Sequence, residues 1–270
     1  MTDRPVLITG AGPTGLVLAI WLARLGIPLR IIDRKDGPAP FSRALGVHAR
    51  TLELYRQLGF ADAIVEYGVQ VRGVNLWVGG RRAARVPFDT LGTGLTPYPF
   101  ILDFAQDEHE RFLVDRLSAM GVEVEWQTTL VGFEQHVGGV RATLRHADAT
   151  EEHMDVAYLA GCDGVHSTVR ARLGADFAGG TYSRLFCVAD VDATGDAVND
   201  EIHVGLDDVE LLAVFAMRGT GRIRLVCTIH DEQAPSPAAL TFDHVSRRVI
   251  EGMGLTVQHV HWFSTYRVHH

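Results

Sequence analysis

The chain has 270 residues, 47% of them hydrophobic and 21% charged, enough apolar material for one large domain or two smaller ones. A formal net charge of -8 without any block of like charge excludes a protein that wraps nucleic acid, which needs a Lys/Arg stripe. The three cysteines, Cys162, Cys187 and Cys227, have no Cys-x-x-Cys spacing, so they read as reduced core residues of a cytoplasmic protein and not as a disulfide framework or zinc site.

The first element is VLITGAGPTGLVLAIWLARLG, Val6 to Gly26, with no charge before Arg24. Its length invites a membrane reading, since a spanning helix takes about 20 apolar residues. Gly10, Gly12, Pro13 and Gly15 stand in the middle, where they would break a helix, and no small-residue cleavage site follows. Neither a membrane span nor a signal peptide is therefore expected. The residues read instead as a strand (PVLIT), a turn (GAGPTG) and an apolar helix stopped by Gly26, with a second strand (LRIID) ending at Asp33. Asp33 lies roughly 18 positions beyond the last turn glycine, where the dinucleotide fingerprint expects an acidic residue at about 20. Gly10 permits the tight turn, Gly12 the approach of a pyrophosphate and Gly15 close packing of helix on strand, and Asp33 is placed to accept from an adenosine ribose. The motif leaves open whether NAD or FAD binds, because both present an ADP half.

Next comes a loop and a helix whose Leu52, Tyr55 and Leu58 share a face and whose stop is Gly59. Short strand-like pieces over 71–104 break the βαβ rhythm, an excursion into a second sheet. AQDEHERFLVDRLSAMG returns to a helix with Phe112, Leu113, Leu117 and Met120 on its apolar face and Gly121 as its end. A strand (VEVEW) follows, then an alternating hairpin with Val140, Ala142 and Leu144 on one side, a buried strand (VAYLAG) and a short helix after CDGVHS, for which Asp163 is a natural N-cap. Strands dominate from about 181 to 235; LTFDHVSRRVIEGMG is a helix and TVQHVHWF a last alternating strand. The histidines His203, His230, His259 and His261 have no carboxylates at ligand spacing, so they read as structural and no metal is expected.

Taken in order, GAGPTG with Asp33, SRALGVHARTLELYRQLG, AQDEHERFL, AGCDGVHSTVR and WFSTYRVHH resemble the class A flavoprotein monooxygenases of p-hydroxybenzoate hydroxylase type, nearest to the phenol and aromatic polyketide hydroxylases. The resemblance covers essentially the whole chain. It implies an α/β fold: an FAD-binding Rossmann-like βαβ domain (1–72 and 105–180, continuing at 264–270) interleaved with a mainly antiparallel β-sheet substrate domain (73–104 and 181–263). It also implies a cofactor site of Gly10, Gly12, Pro13, Thr14, Gly15, Asp33, Arg34, Arg43, Gln106, Leu130, Asp163 and Gly164.

The activity so implied is hydroxylation of an aromatic small molecule: NADPH or NADH reduces FAD, O2 adds to give a flavin C4a-hydroperoxide, and the distal oxygen passes to a phenolic ring. No catalytic residue is assigned. His48 and Tyr266 are candidates to approach substrate or flavin, and a homodimer is left open. The family's G-D-A-A-H segment, which holds the FAD ribityl-phosphate part, is not among these 270 residues. A fragment or naturally shortened chain is therefore expected. A catalytically silent flavin- or ligand-binding remnant is one alternative and an NAD-dependent dehydrogenase a second.

Overall fold

The computed structural model describes residues 4–42, 44–206, 211–229 and 240–269. In it the uncharged opening run is a βα unit of β1 (Val6–Thr9), α1 (Pro13–Arg24) and β2 (Leu29–Ile32). Pro13 sits at the first turn of α1, where its missing N–H is no loss. Gly26, at φ +69, closes the other end, with its amide on the Ala23 carbonyl. The chain continues through β3 (Gly46–Val47), α2 (Ala49–Leu58), α3 (Ala61–Tyr67), β4 (Val69–Val71), β5 (Gly73–Val78), β6 (Arg81–Pro87), α4 (Phe88–Leu91) and β7 (Ile101–Asp103). Then come α5 (Gln106–Ser118), β8 (Val124–Glu125), β9 (Thr129–His136), β10 (Gly139–Arg145), β11 (Glu151–Val156), β12 (Tyr158–Gly161) and α6 (Thr168–Arg172). Strands β13 (Thr181–Thr194), β14 (Ile202–Leu206), β15 (Leu211–Ala216) and β16 (Arg222–Ile229), helix α7 (Arg247–Gly252) and β17 (Thr256–His269) complete it.

These elements divide into two compact units. The first holds Met1–Ser42 and Gln106–Ala178. Its parallel sheet, ordered β12-β1-β2-β8, buries Leu7, Ile8, Ile31 and Ile32 completely, as expected of parallel strands covered on both faces. The antiparallel sheet β11-β10-β9 turns Val140, Ala142 and Leu144 inward, the alternation read from sequence. Helix α5 ends at Ser118, two residues earlier than its pattern suggests, and Met120 beyond it is exposed.

The second unit holds Arg43–Ala105 and Gly179–His270. Its seven-stranded sheet runs β17-β13-β16-β15-β14-β5-β6, and a three-stranded antiparallel sheet runs β3-β7-β4. Residues 44–72, placed by sequence with the nucleotide-binding part, pack here because Gly46 and Val69 pair with Asp103. Residues 264–269 also belong to this sheet, since β17 stays paired with β13 from Thr256↔Thr194 to His269↔Thr181. The predicted helix over 240–254 is shorter than expected: a 3-10 turn at Phe242–His244, capped by Thr241, precedes α7.

The reduced-cysteine expectation fails for two of the three residues. Cys187 and Cys227 stand opposite each other on β13 and β16, Cα atoms 5.2 Å apart, and form a disulfide, while Cys162 is free. Strand register brings them into bridging range, and their spacing in sequence carries no such signal. No helix among the described residues is long and apolar enough to cross a membrane.

One buried titratable group of the first unit has a measurable consequence. His109 on α5 is 7% exposed, and burial pushes its pKa from 6.5 down to about 4. Between those values the unfolded chain carries the proton and the folded chain does not. Stability is expected to fall as pH drops through that window, by up to about 3 kcal/mol at ~1.4 kcal/mol per pH unit. Thermal melts across the window should show this slope, and His109→Leu should flatten it.

Candidate functional site

The site in the first unit is built on the turn between β1 and α1. Gly10 has φ +101, and its amide donates to the Ile32 carbonyl at 2.8 Å. A Cβ added at Gly10 would lie 2.2 Å from the Cys162 carbonyl oxygen, and one at Gly15 would lie 1.9 Å from the Gly10 oxygen. Both positions are closed to any side chain by backbone. Gly12 is different: a Cβ there meets nothing within 4 Å. The protein itself gives no steric reason for a glycine at position 12, so the open space over it is suited to a ligand.

That space lies at the start of α1, whose N-cap is Gly12, with no side-chain cap and no acidic residue in the first turn. Helix N-terminal amides and the positive end of the dipole therefore meet no acidic residue of the helix's own first turn, an arrangement suited to a pyrophosphate. Pro13 is half-buried and Thr14 exposed on this turn.

Asp33 follows β2 and is 8% exposed. Its Oδ2 accepts from the Ala11 amide at 2.7 Å and its Oδ1 from the Lys35 amide at 2.9 Å. A carboxylate oxygen can accept more than one hydrogen bond, so Asp33 can shape the turn and still receive ribose hydroxyls. Strand β12, parallel to β1, carries the Asp163 segment to the same place: the Cys162 amide donates to the Thr9 carbonyl at 2.8 Å. One cleft is lined by Gly10, Asp33, Arg34, Leu130 and Asp163, together with Thr9, Thr128, Thr129, His166 and Thr168, which the sequence alone did not single out.

Asp163 also organises the turn into α6. It accepts from Ser167 Oγ at 2.6 Å and from the amides of Thr168 at 2.6 Å and Val169 at 3.3 Å. The helix starts at Thr168, and its formal N-cap is Ser167, whose hydroxyl accepts from the Arg170 amide. The N-cap read from sequence at Asp163 is thus taken by Ser167, and Asp163 braces the same turn from four residues upstream. Gly164 has φ +77, a conformation that favours glycine.

Gln106 opens α5 in the same unit but does not line this cleft. Its amide donates to Ser42 Oγ at 2.8 Å and its Nε2 to Glu110 Oε1 at 3.0 Å. Glu110, buried and also holding the Ala39 amide at 3.0 Å, went unrecognised in sequence; its i+4 spacing from Gln106 on a helix is the signal that was present. Arg43 and His230 lie outside the described residues.

The second unit presents a different chemistry. On one face of its large sheet Asp190, Arg224 and Trp262 are cross-strand neighbours. Arg224, 2% exposed, makes a bidentate pair with Asp190 at 2.7 and 2.8 Å, and its guanidinium lies 5.8 Å from the centre of the Trp262 ring. On the same face Phe186 and Tyr266 stack at 5.7 Å. Tyr266 is partly exposed, and burial raises its phenol pKa against the opposing pull of Arg224. His48, exposed at the start of α2, makes no capping hydrogen bond. His203 is structural, held between Trp77 Nε1 at 3.0 Å and Asn199 Oδ1 at 2.9 Å.

The uncapped helix, the open Gly12 and the neighbouring Asp33 carboxylate fit the ADP half of a dinucleotide. A family model described as an FAD binding domain matches residues 3–270. The chain belongs to this FAD binding domain family. It is 39% identical over 273 residues to 6-methylpretetramide 4-monooxygenase of Streptomyces rimosus, a match covering 98% of this chain and 48% of that protein. It is 34% identical over 222 residues to pentachlorophenol 4-monooxygenase of Sphingobium chlorophenolicum, covering 81% of this chain and 41% of the relative. Among solved structures, p-nitrophenol 4-monooxygenase of Pseudomonas putida DLL-E4 shares the fold with a TM-score of 0.83 at 22% identity, over 98% of this chain and 68% of that one. The chain spans about half the length of the curated relatives it matches. Membership of the FAD binding domain family agrees with the flavoprotein monooxygenase resemblance and makes FAD, not NAD, the resident dinucleotide.

Proposed function

We propose that the chain is the FAD-binding and substrate-facing part of an NAD(P)H-consuming monooxygenase that hydroxylates a phenolic or polyketide-like aromatic compound. The observation that carries this reading is the turn at Gly12, where open space, uncapped α1 amides and the Asp33 carboxylate converge. The relatives named as monooxygenases of 6-methylpretetramide and pentachlorophenol support the reaction class and the kind of ring. Bound FAD, reduced by NADPH or NADH, supplies the activation of O2 and delivers one of its oxygen atoms, the other leaving as water.

The chain's own residues bind and orient. The α1 amides hold the pyrophosphate, and Asp33, fixed by the Ala11 and Lys35 amides, receives the adenosine ribose. Leu130, Asp163 and Arg34 line the cleft and Gly164 follows Asp163 in its turn; Gln106 is assigned to the remainder of the cofactor, a role the family resemblance also gives Arg43, which lies outside the described residues. The aromatic face around Trp262, Phe186 and Tyr266 offers a planar substrate apolar contact. The test is a titration of the purified protein with FAD, followed by NADPH oxidation with and without a phenol such as pentachlorophenol, under 18O2. The expected result is a yellow protein, phenol-stimulated oxidation and one labelled oxygen in the product. A protein that takes up no FAD, or a product without label, would sink the reading.

A further inference from the structure

We propose that Asp103 is the carboxylate that receives a ring hydroxyl of the aromatic substrate, first accepting its hydrogen bond and then its proton; this rests on the monooxygenase reading above. Asp103 ends β7 in the second unit and is 3% exposed, and neither of its carboxylate oxygens has a hydrogen-bond partner among the described residues. Its surroundings are otherwise in order. Asp103 is paired in register with Gly46 and Val69, and the next amide, Phe104, donates to the Leu45 carbonyl at 2.9 Å. A well-formed strand thus delivers an unsatisfied acid into the interior, where a polar group without a partner is costly and is expected to meet a ligand.

The chemistry of the neighbourhood selects the ligand. Arg224 of β16 is the charged group that acts on Asp103; Gly46 and Val69, opposite it on β3 and β4, carry no charge. Arg224 is already paired with Asp190 and lies beside the Trp262 ring and the cross-strand Phe215. Among the described residues no donor reaches the Asp103 carboxylate, and the arginine that acts on it has aromatic neighbours; a phenol brings the missing donor and a ring suited to that company. Burial raises the carboxyl pKa to about 7 against the pull of Arg224. That brings it closer to a phenolic hydroxyl, whose ordinary pKa is about 10, and a closer match eases proton transfer. In the step, the ring O–H bond breaks, the proton moves to a carboxylate oxygen of Asp103, and the electron pair stays on the ring oxygen. The ring becomes richer in electrons at the positions ortho and para to that oxygen, where an electrophilic oxygen atom is accepted. The cofactor-binding features at Gly12, Asp33 and Asp163 are all in the other unit and make no use of Asp103.

The experiment uses the FAD-loaded protein with 2-naphthol and its methyl ether, 2-methoxynaphthalene, which differ at the hydroxyl hydrogen. The wild type is expected to bind naphthol about tenfold or more tightly than the ether. Bound naphthol should also show naphtholate absorption at a pH below its own ionisation in water. Asp103→Asn is expected to retain FAD, lose the naphtholate band and bind the two probes within about twofold of each other; Asp103→Glu should recover the band in part. A wild type that takes up FAD but shows neither preference nor band overturns the assignment, as does an Asp103→Asn protein that keeps both. Loss of FAD affinity in Asp103→Asn would instead give the carboxylate to the cofactor and also overturn it. A wild type that takes up no FAD defeats the monooxygenase reading and, with it, this one.

Discussion

Gly12→Ala is expected to keep the fold and lose the cofactor, weakening FAD binding by about a hundredfold, or ~3 kcal/mol. A Cβ at this position meets no protein atom within 4 Å, and the backbone there is extended at φ -76 and ψ 178, so an alanine is tolerated in the unliganded chain. The cost to stability should stay near that of replacing a glycine N-cap, at most about 1 kcal/mol. The new methyl group would occupy the approach over the α1 amides, where a pyrophosphate must come close to backbone. Gly10→Ala should behave in the opposite way. Its Cβ would lie 2.2 Å from the Cys162 carbonyl oxygen, and its φ of +101 is one that L side chains rarely adopt. Overpacking and backbone strain together are expected to cost ~3 kcal/mol or more of stability before any ligand is considered. Thermal unfolding without FAD, beside a titration that follows quenching of flavin fluorescence, separates the two. If Gly12→Ala lost as much stability as Gly10→Ala, position 12 would be held by the fold and the ligand argument would fail.

The second large effect falls on the sheet of the other unit. Asp190→Ala is expected to destabilise the protein by about 3–5 kcal/mol, because it strands the Arg224 guanidinium without its bidentate partner. The Arg224 side chain is 2% exposed and that of Asp190 15%, so water cannot replace the lost carboxylate. The double replacement Asp190→Leu with Arg224→Met should cost markedly less than Asp190→Ala alone, since it removes the charge together with its counter-charge. Denaturant unfolding of the three proteins measures this. Equal losses for single and double variants would mean that packing, and not the buried charge, governs the site.

The local elements were legible because their signals are local. The β1–α1–β2 unit follows from the alternation of apolar run, glycine turn and apolar run; Gly59 adopts the left-handed conformation, φ +86, that its place after Leu58 suggests. The inward face Val140, Ala142 and Leu144 follows from period two. What sequence did not show depends on register between distant strands. Cys187 meets Cys227, Asp190 meets Arg224 and Gly46 meets Asp103 through pairings that no spacing encodes. The same is true of the cleft: Asp33 and Asp163 both stood out in sequence, but the parallel pairing of β12 with β1 is what brings them together. Glu110 was hidden for a different reason, since a glutamate on a charged helix looks like solvated surface until its burial is known.

The pairing of Val74 on β5 with Ile202 on β14 has a consequence for biosynthesis. As the nascent chain leaves the ribosome, the β5–β6 hairpin emerges long before the strand that will cover its inner edge, and β17, which seals β13 on the far side, emerges later still. The hairpin must wait with open hydrogen-bonding groups while most of the first unit is translated, a delay of seconds to tens of seconds at roughly 5–20 residues per second. Chaperone demand during translation should therefore concentrate on this hairpin, whose strand β6 carries Arg81, Arg82 and Arg85, charges of the kind that discourage edge-to-edge aggregation.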